Sequence, residues 1–386
     1  MRSQFLTDDQ ISVLTRLRHA LHSAPELSGE ERATAGAISA FLRLTEPDAI
    51  IEGLGGSGLA VIYQGRTPGP TVMFRAELDG LPITERSNAA HRSKRHGLAH
   101  ACGHDGHMAI LAGLGVWLGQ KRPAHGRVVL LFQPAEETGA GARAVLADPK
   151  FAPLRPDWAF AMHNMPGLPL GALAVAAGPA SCASVGLHLR YQGRAAHASM
   201  PETGLSPARA LAGLMAEIAS QPDSQPMGPE FRLATLCHLS MGAPSFGIAP
   251  GHADVSLTLR TVTDAALDDF ESAFIEQAKS ARGALDLTVS RHDHFNASHN
   301  DKQAAGHVAR AGQTLGMKTA EFALPMRPSE DFGAFSATTR TALFFLGAGE
   351  AHPALHNPDY DFPDALISPG CALFAEVLAQ VMAATR

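Results

Sequence analysis

Cysteine is scarce in this chain. The four residues, Cys102, Cys182, Cys237 and Cys371, lie far apart among 386 with no framework spacing. That excludes a disulfide scaffold and points to a reducing compartment. No block of basic residues occurs and the formal net charge is −6, which argues against nucleic acid as a partner. No uninterrupted apolar run approaches the length of a membrane span. Residues 1–9 hold no basic segment followed by an apolar one, so neither a membrane partner nor a secretory signal is expected. The cytoplasm is the location these absences leave. Also missing are a Gly-Lys-Thr phosphate loop, a Gly-x-Ser-x-Gly nucleophile elbow, internal repeats and low-complexity segments. What is present is ordinary: 45% hydrophobic and 18% charged residues, as in a soluble globular protein, and a length that implies two domains.

One stretch is far from ordinary. His100-Ala101-Cys102-Gly103-His104-Asp105-Gly106-His107 packs three histidines, a cysteine and an aspartate around two glycines. Thiolate and imidazole are the best ligands for zinc-like metals, and Cys102 and His104 are close enough to share an ion. The glycines allow the tight turn that lets these side chains converge. Asp105 stands where a helix N-cap belongs, ahead of the apolar run 108–114. A single histidine or cysteine would mean little; this density reads as a metal site.

Residues 11–24 and 29–44 read as helices, broken between them by Ser23-Ala24-Pro25-Glu26. His22 and Glu26 read as a helix-end histidine and a loop acid. Four short apolar runs follow, at 71–75, 128–132, 158–162 and 343–346. Such runs suit strands buried on both faces, and in open α/β sheets the chemistry gathers at their carboxyl ends. Each run leads into acids or histidines: Glu77 and Asp79, Glu136 and Glu137, His163, and His356. A mainly parallel α/β sheet is the economical architecture. Residues 180–293 change character. Alternating strands at 185–191, 231–241, 253–261 and 285–292 enclose helices at 207–221 and 264–282, the second capped by Thr263 or Asp264. The order β-α-β-β-α-β closes as a ferredoxin-like α+β unit inserted into the first domain. The expected organisation is a metal-binding domain from 1–179 and 294–386, ending in a helix at 370–384, with the insertion at 180–293.

At the rim, two adjacent glutamates cannot both point the same way if the backbone stays extended. One is free to bind metal while the other faces substrate, a division suited to hydrolysis by a metal-activated water. His163 and His356, each of which alone would pass for a core histidine, complete a ligand set with Cys102, His104 and Glu137 for two ions.

With these motifs the chain resembles the two-metal aminoacylase, hippurate hydrolase and indole-acetyl-amino-acid hydrolase family, relatives of acetylornithine deacetylase and the glutamate carboxypeptidases. The resemblance runs over nearly the whole length. It includes His22-Ser23-Ala24-Pro25-Glu26-Leu27, Arg75-Ala76-Glu77-Leu78-Asp79-Gly80-Leu81-Pro82 and Phe132-Gln133-Pro134-Ala135-Glu136-Glu137. It also takes in His163-Asn164-Met165-Pro166, His197-Ala198-Ser199-Met200-Pro201, Ser329-Glu330-Asp331-Phe332 and His356-Asn357-Pro358.

The resemblance implies Cys102, His104, Glu137, His163 and His356 as ligands of two divalent ions, whether zinc, manganese, cobalt or nickel. It implies Glu136 as the general base that later protonates the leaving amine, and Asp79 as a carboxylate supporting the site from behind. His197 corresponds to a histidine of the inserted lid and dimerisation domain that polarises the scissile carbonyl in the other subunit. Arg260 corresponds to an arginine that meets the substrate carboxylate. Two positions depart from the pattern: Glu77 stands where relatives usually carry Asp, and Gly247 where they often carry Asn. The expected activity is hydrolysis of N-acyl amino acids, a small-molecule substrate, by a homo-oligomer of at least two chains. A dipeptidase or carboxypeptidase on the same machinery is the alternative. A non-catalytic metal-stabilised binding protein is the rival class, disfavoured because it has no need of Glu136.

Overall fold

The computed structural model describes residues 5–222 and 225–385; positions 1–4, part of the stretch examined for a signal, lie outside them. Among the described residues the chain divides into two compact units. The first comprises residues 1–180, 298–324 and 331–386, and the second 181–297 with 325–330.

The first unit opens with helix α1 (Asp8–His22), started by a reciprocal capping box between Thr7 and Gln10. Helix α2 (Arg32–Arg43) follows. Strands β1 (Ala49–Leu54), β2 (Gly58–Gln64) and β3 (Thr71–Glu77) come next, then helix α3 (His104–Gln120), β4 (Arg127–Gln133), β5 (Trp158–Pro166) and the short β6 (Leu173–Ala174). With the strand Arg340–Gly349 they form one seven-stranded sheet, in the order β1-β2-β4-β3-β5, the Arg340–Gly349 strand, then β6. The four central strands run parallel, and antiparallel pairs close both edges. The sheet is therefore mixed with a parallel core. The apolar-run pattern does not reveal β1, which is largely exposed, and β2 is buried over all but its last residue.

Val72, Phe74, Leu130, Phe132, Phe160 and Phe344 face α1, α2, α3 and the last helix, Ile367–Ala384, in one continuous core. Phe74 stacks 5.5 Å from Phe160 and meets Phe374 at 5.0 Å. The segment Asp364–Ala384 is long and apolar enough to cross a membrane by composition alone. Over half of it is buried inside the protein, as befits a core helix.

The second unit has a four-stranded antiparallel sheet with Ala183–Gln192 and His252–Thr261 in the middle, flanked by Arg232–Met241 and Asp286–Phe295. Val185, Leu187, Leu189 and Tyr191 alternate inward with Val255, Leu257 and Leu259 against the helices Ala208–Ser220 and Asp264–Ala281. Thr263 supplies the N-cap of the latter, accepting the Ala266 N–H. The opposite sheet face is polar: His188 and Arg190 both reach Asp254.

Candidate metal centre

Parallel strands deliver their carboxyl ends to one rim, and the candidate residues arrive there from five segments. β3 leads to Asp79, β4 to Glu136 and Glu137, and β5 itself carries His163. Cys102 and His104 flank the start of α3, and His356 lies in the loop after the strand Arg340–Gly349.

Three overlapping groups converge within 4.8 Å: Cys102 with His104 and His163, Cys102 with Glu137 and His356, and His104 with Glu136 and Glu137. Cys102 Sγ lies 3.5 Å from His163 Nε2. His104 Nε2 stands 3.9 Å from Glu136 Oε2 and 3.8 Å from Glu137 Oε1, and His356 Nε2 is 3.6 Å from the same Glu137 oxygen. The structure brings these six together with Asp79 behind them.

Does a metal suit this set? His104 is the telling residue. Its Nδ1–H donates to the Asp79 carbonyl at 2.9 Å, with Asp79 Oδ1 at 3.4 Å, which fixes the tautomer. Its buried Nε2 then faces the cluster with no hydrogen-bond partner. A buried polar atom without a partner costs free energy, and a cation among soft and borderline donors removes that cost. The residues fit a divalent metal ion.

Electrostatics sharpen the contrast between ligands. Burial pulls His104 down, but the Asp79 contact and the charges of Glu77, Glu137 and Asp79 outweigh it and lift its pKa to about 10. His163 is pushed down to about 3 by burial and the neighbouring His107, and burial also lowers His356. Burial thus favours the neutral form of those two imidazoles, whereas the carboxylates around His104 favour its charged form, which would have to lose a proton for Nε2 to bind a cation.

The backbone around the cluster is tightly constrained. Helix α3 begins at His104, and its N-cap is Gly103 rather than the expected Asp105. Gly103 sits at φ +91, where a Cβ would come within 2.3 Å of Asn164 Nδ2. Asp105 is spent elsewhere, accepting from Arg18 at 2.7 Å and from His22 at 2.9 Å in a fully buried group. His22 is more than a helix-end residue, being buried there, and Glu26 is more than a loop acid, being buried and accepting the Thr34 N–H and hydroxyl. The two glutamates are not on extended backbone either. Ala135 takes φ +50 and the chain turns, so both carboxylates reach His104 Nε2.

A polar layer that motif reading missed lies beneath. His107 Nδ1–H donates to Glu77 at 2.7 Å, and its Nε2 accepts the backbone and side-chain N–H groups of Asn164. Asn164 donates to the Cys102 carbonyl at 2.8 Å and accepts from the Tyr360 hydroxyl. Arg75 bonds Glu77 and Asp331, and Asp331 also accepts from Gln133 and the Ala142 N–H. Glu77, one of the two departures, accepts from Arg75 with one oxygen and from His107 with the other. The only signal in the sequence was polar residues inside apolar motifs. His100 is buried with neither ring nitrogen bonded, and burial lowers its pKa to about 4.

His197 and Arg260 belong to the second unit. His197 is exposed on the two-residue strand Ala196–His197, paired with Ile248–Ala249, its Nδ1 2.7 Å from Ser199 Oγ. Arg260 is half-buried and donates to Ser329 Oγ at 2.8 Å. A side chain at Gly247 would meet nothing within 4 Å, so the backbone does not demand glycine there.

The model of the family described as Peptidase family M20/M25/M40 matches residues 73–380. A hippurate hydrolase from Campylobacter jejuni is 28% identical over 94% of this chain and 94% of its own. An N-acetyl-L-cysteine deacetylase from Bacillus subtilis is 27% identical, over 92% of this chain and 84% of its own. Among solved structures, a Bacillus subtilis protein described as a dinuclear metal binding peptidase of the M20 family superimposes with a TM-score of 0.82. It is 25% identical and covers 98% of this chain and 99% of its own.

Proposed function

The chain belongs to peptidase family M20/M25/M40, and from that premise we propose that it is a metal-dependent amidohydrolase of N-acyl amino acids. The observation that carries this reading is the convergence of Cys102, His104, Glu137, His163 and His356 with the Glu136 carboxylate in overlapping groups, the buried Nε2 of His104 standing among them without a hydrogen-bond partner. The names of its hippurate hydrolase and N-acetyl-L-cysteine deacetylase relatives support the substrate class. We assign Cys102, His104, Glu137, His163 and His356 to two divalent ions. When bound, such ions would polarise the scissile carbonyl and make water acidic enough to attack near neutral pH.

The chain's own residues do the rest. Glu136 is in the site without being needed as a ligand, so its carboxylate accepts the proton of the attacking water and returns it to the leaving nitrogen. Asp79 and the His104 tautomer hold the ligand sphere, and Glu77, His107 and Asn164 brace Cys102 and His163 from below. His197 is assigned to the developing oxyanion and Arg260 to the substrate carboxylate. The second unit serves as lid and dimerisation domain, its exposed edge strand Arg232–Met241 being open to pairing. We place the enzyme in the cytoplasm as a homodimer, acting on a small molecule without nucleic-acid or membrane partners.

The test is a panel of N-acetyl, N-benzoyl and dipeptide substrates, run with chelator-stripped protein and after reloading with zinc, manganese or cobalt. Metal-dependent release of free amino acid from the N-acyl members is the expected result. Turnover of dipeptides alone would shift the assignment to a dipeptidase, and none at all to a binding protein.

A further inference from the structure

The loop after β4 carries both glutamates, and two buried carboxylates hold it from either side. Asp79 accepts the Glu137 N–H at 2.9 Å. Glu31, fully buried just before α2, accepts the Ala135 N–H at 2.8 Å. Glu136 is therefore the residue between two anchored amides. Ala135 is held at φ +50, a left-handed conformation that a non-glycine residue keeps only where its surroundings over-determine it. The same Glu31 oxygen accepts the Gly29 N–H at 2.7 Å, and the other accepts the Ser57 hydroxyl. Three segments thus meet on one side chain: the strap before α2, the turn after β1 and the loop after β4. The far end of the loop has no slack. Gly141 N–H donates to the Ala135 carbonyl at 3.0 Å, and a Cβ on Gly141 would lie 1.6 Å from the Pro134 oxygen.

We propose that Glu31 is the positioning residue for Glu136, fixing the turn at Ala135 so that the Glu136 carboxylate stays beside His104. The proposal rests on the reading of Glu136 as the base. Glu31 touches neither the cluster nor a substrate, and every one of its bonds is as an acceptor. Its role is one of reach and not of charge. A glutamine has the same reach: its oxygen accepts both N–H groups while its amide donates to the Ser57 oxygen. An aspartate keeps the charge but is one methylene short of Ala135.

The experiment compares wild type, Glu31→Gln and Glu31→Asp, reloaded with metal. It measures kcat, KM, metal content and hydrogen–deuterium exchange of the peptide covering residues 133–141. Glu31→Asp should lose kcat by roughly tenfold or more, the scale expected when a reacting group drifts by a fraction of an ångström. KM and metal content should hold, and exchange should quicken in 133–141 while the rest of the first unit is unchanged. Glu31→Gln should match wild type throughout. Glu31→Asp equal to wild type in kcat and exchange would overturn the proposal. So would a kcat loss accompanied by metal loss or by faster exchange everywhere, or Glu31→Gln as impaired as Glu31→Asp. If wild type cleaves no N-acyl amino acid, the functional reading fails by itself, and the exchange comparison still decides whether Glu31 tethers the loop.

Discussion

At the scale of single residues, neighbouring carboxylates in one turn divide the work. Glu137 lies within 3.8 Å of both His104 and His356, and Glu136 lies 3.9 Å from His104. Glu136→Gln should therefore keep its metals and substrate affinity while kcat falls by roughly a hundredfold or more, as for loss of a positioned base. Glu137→Gln should instead weaken metal binding, measured by competition with a chromogenic chelator; exchanged phenotypes would reverse the assignment. Cys102 belongs to one donor group with His104 and His163 and to another with Glu137 and His356. Cys102→Ser puts a neutral hydroxyl in place of a thiolate and should cost at least one of two ions on elemental analysis. Full occupancy in that variant would remove Cys102 from the ligand set.

At the scale of elements, α1 and the first turn of α3 are joined by buried charge. Arg18 and His22 on α1 enclose Asp105 in the first turn of α3, and Asp361 also binds Arg18. Burial would raise Asp105, but the two cations hold it well below the usual carboxylate range. For His22, burial works downward, yet Asp105 and Glu85 prevail and lift its pKa to about 9 from an ordinary 6.5. The sign follows: the folded state holds the His22 proton more tightly than the unfolded chain. Its contribution, on the order of 1–3 kcal/mol, is fully present below about pH 6.5 and fades as pH rises through 9. Thermal unfolding of metal-free protein should show wild type well above His22→Gln at pH 6 and the gap closing towards pH 9.5. A gap that widens with pH would contradict the assignment of a charged His22.

For the whole molecule, the question is where His197 acts. It is exposed on a minimal two-stranded ribbon of the second unit, while the proposed metal ligands and Glu136 all belong to the first. A site completed across a homodimer predicts complementation between two dead variants, Glu136→Gln and His197→Ala. Mixed dimers would own one intact site, so random exchange of equal amounts should restore roughly a quarter of wild-type activity if the interface is isologous. Demonstrated exchange without recovery would return His197 to its own chain's site or remove it from catalysis.

Much of this protein is written locally. Apolar runs buried on both faces declare the four parallel strands, alternation declares those of the second unit, and Cys102 with His104 announces a metal by donor chemistry alone. Such signals survive because burial and ligation restrict residue type at short spacing. Long-range partnerships leave no such trace. Asp105 reads as a helix cap until Arg18 and His22 are found on it, and Glu26 reads as a loop acid until Thr34 is seen bound to it. The extended backbone assumed at Glu136 and Glu137 gave way to a turn held by Glu31 from about a hundred residues earlier. Burial makes an unpaired polar group costly, so each of these residues must find a partner; which partner it finds is decided only when distant segments pack.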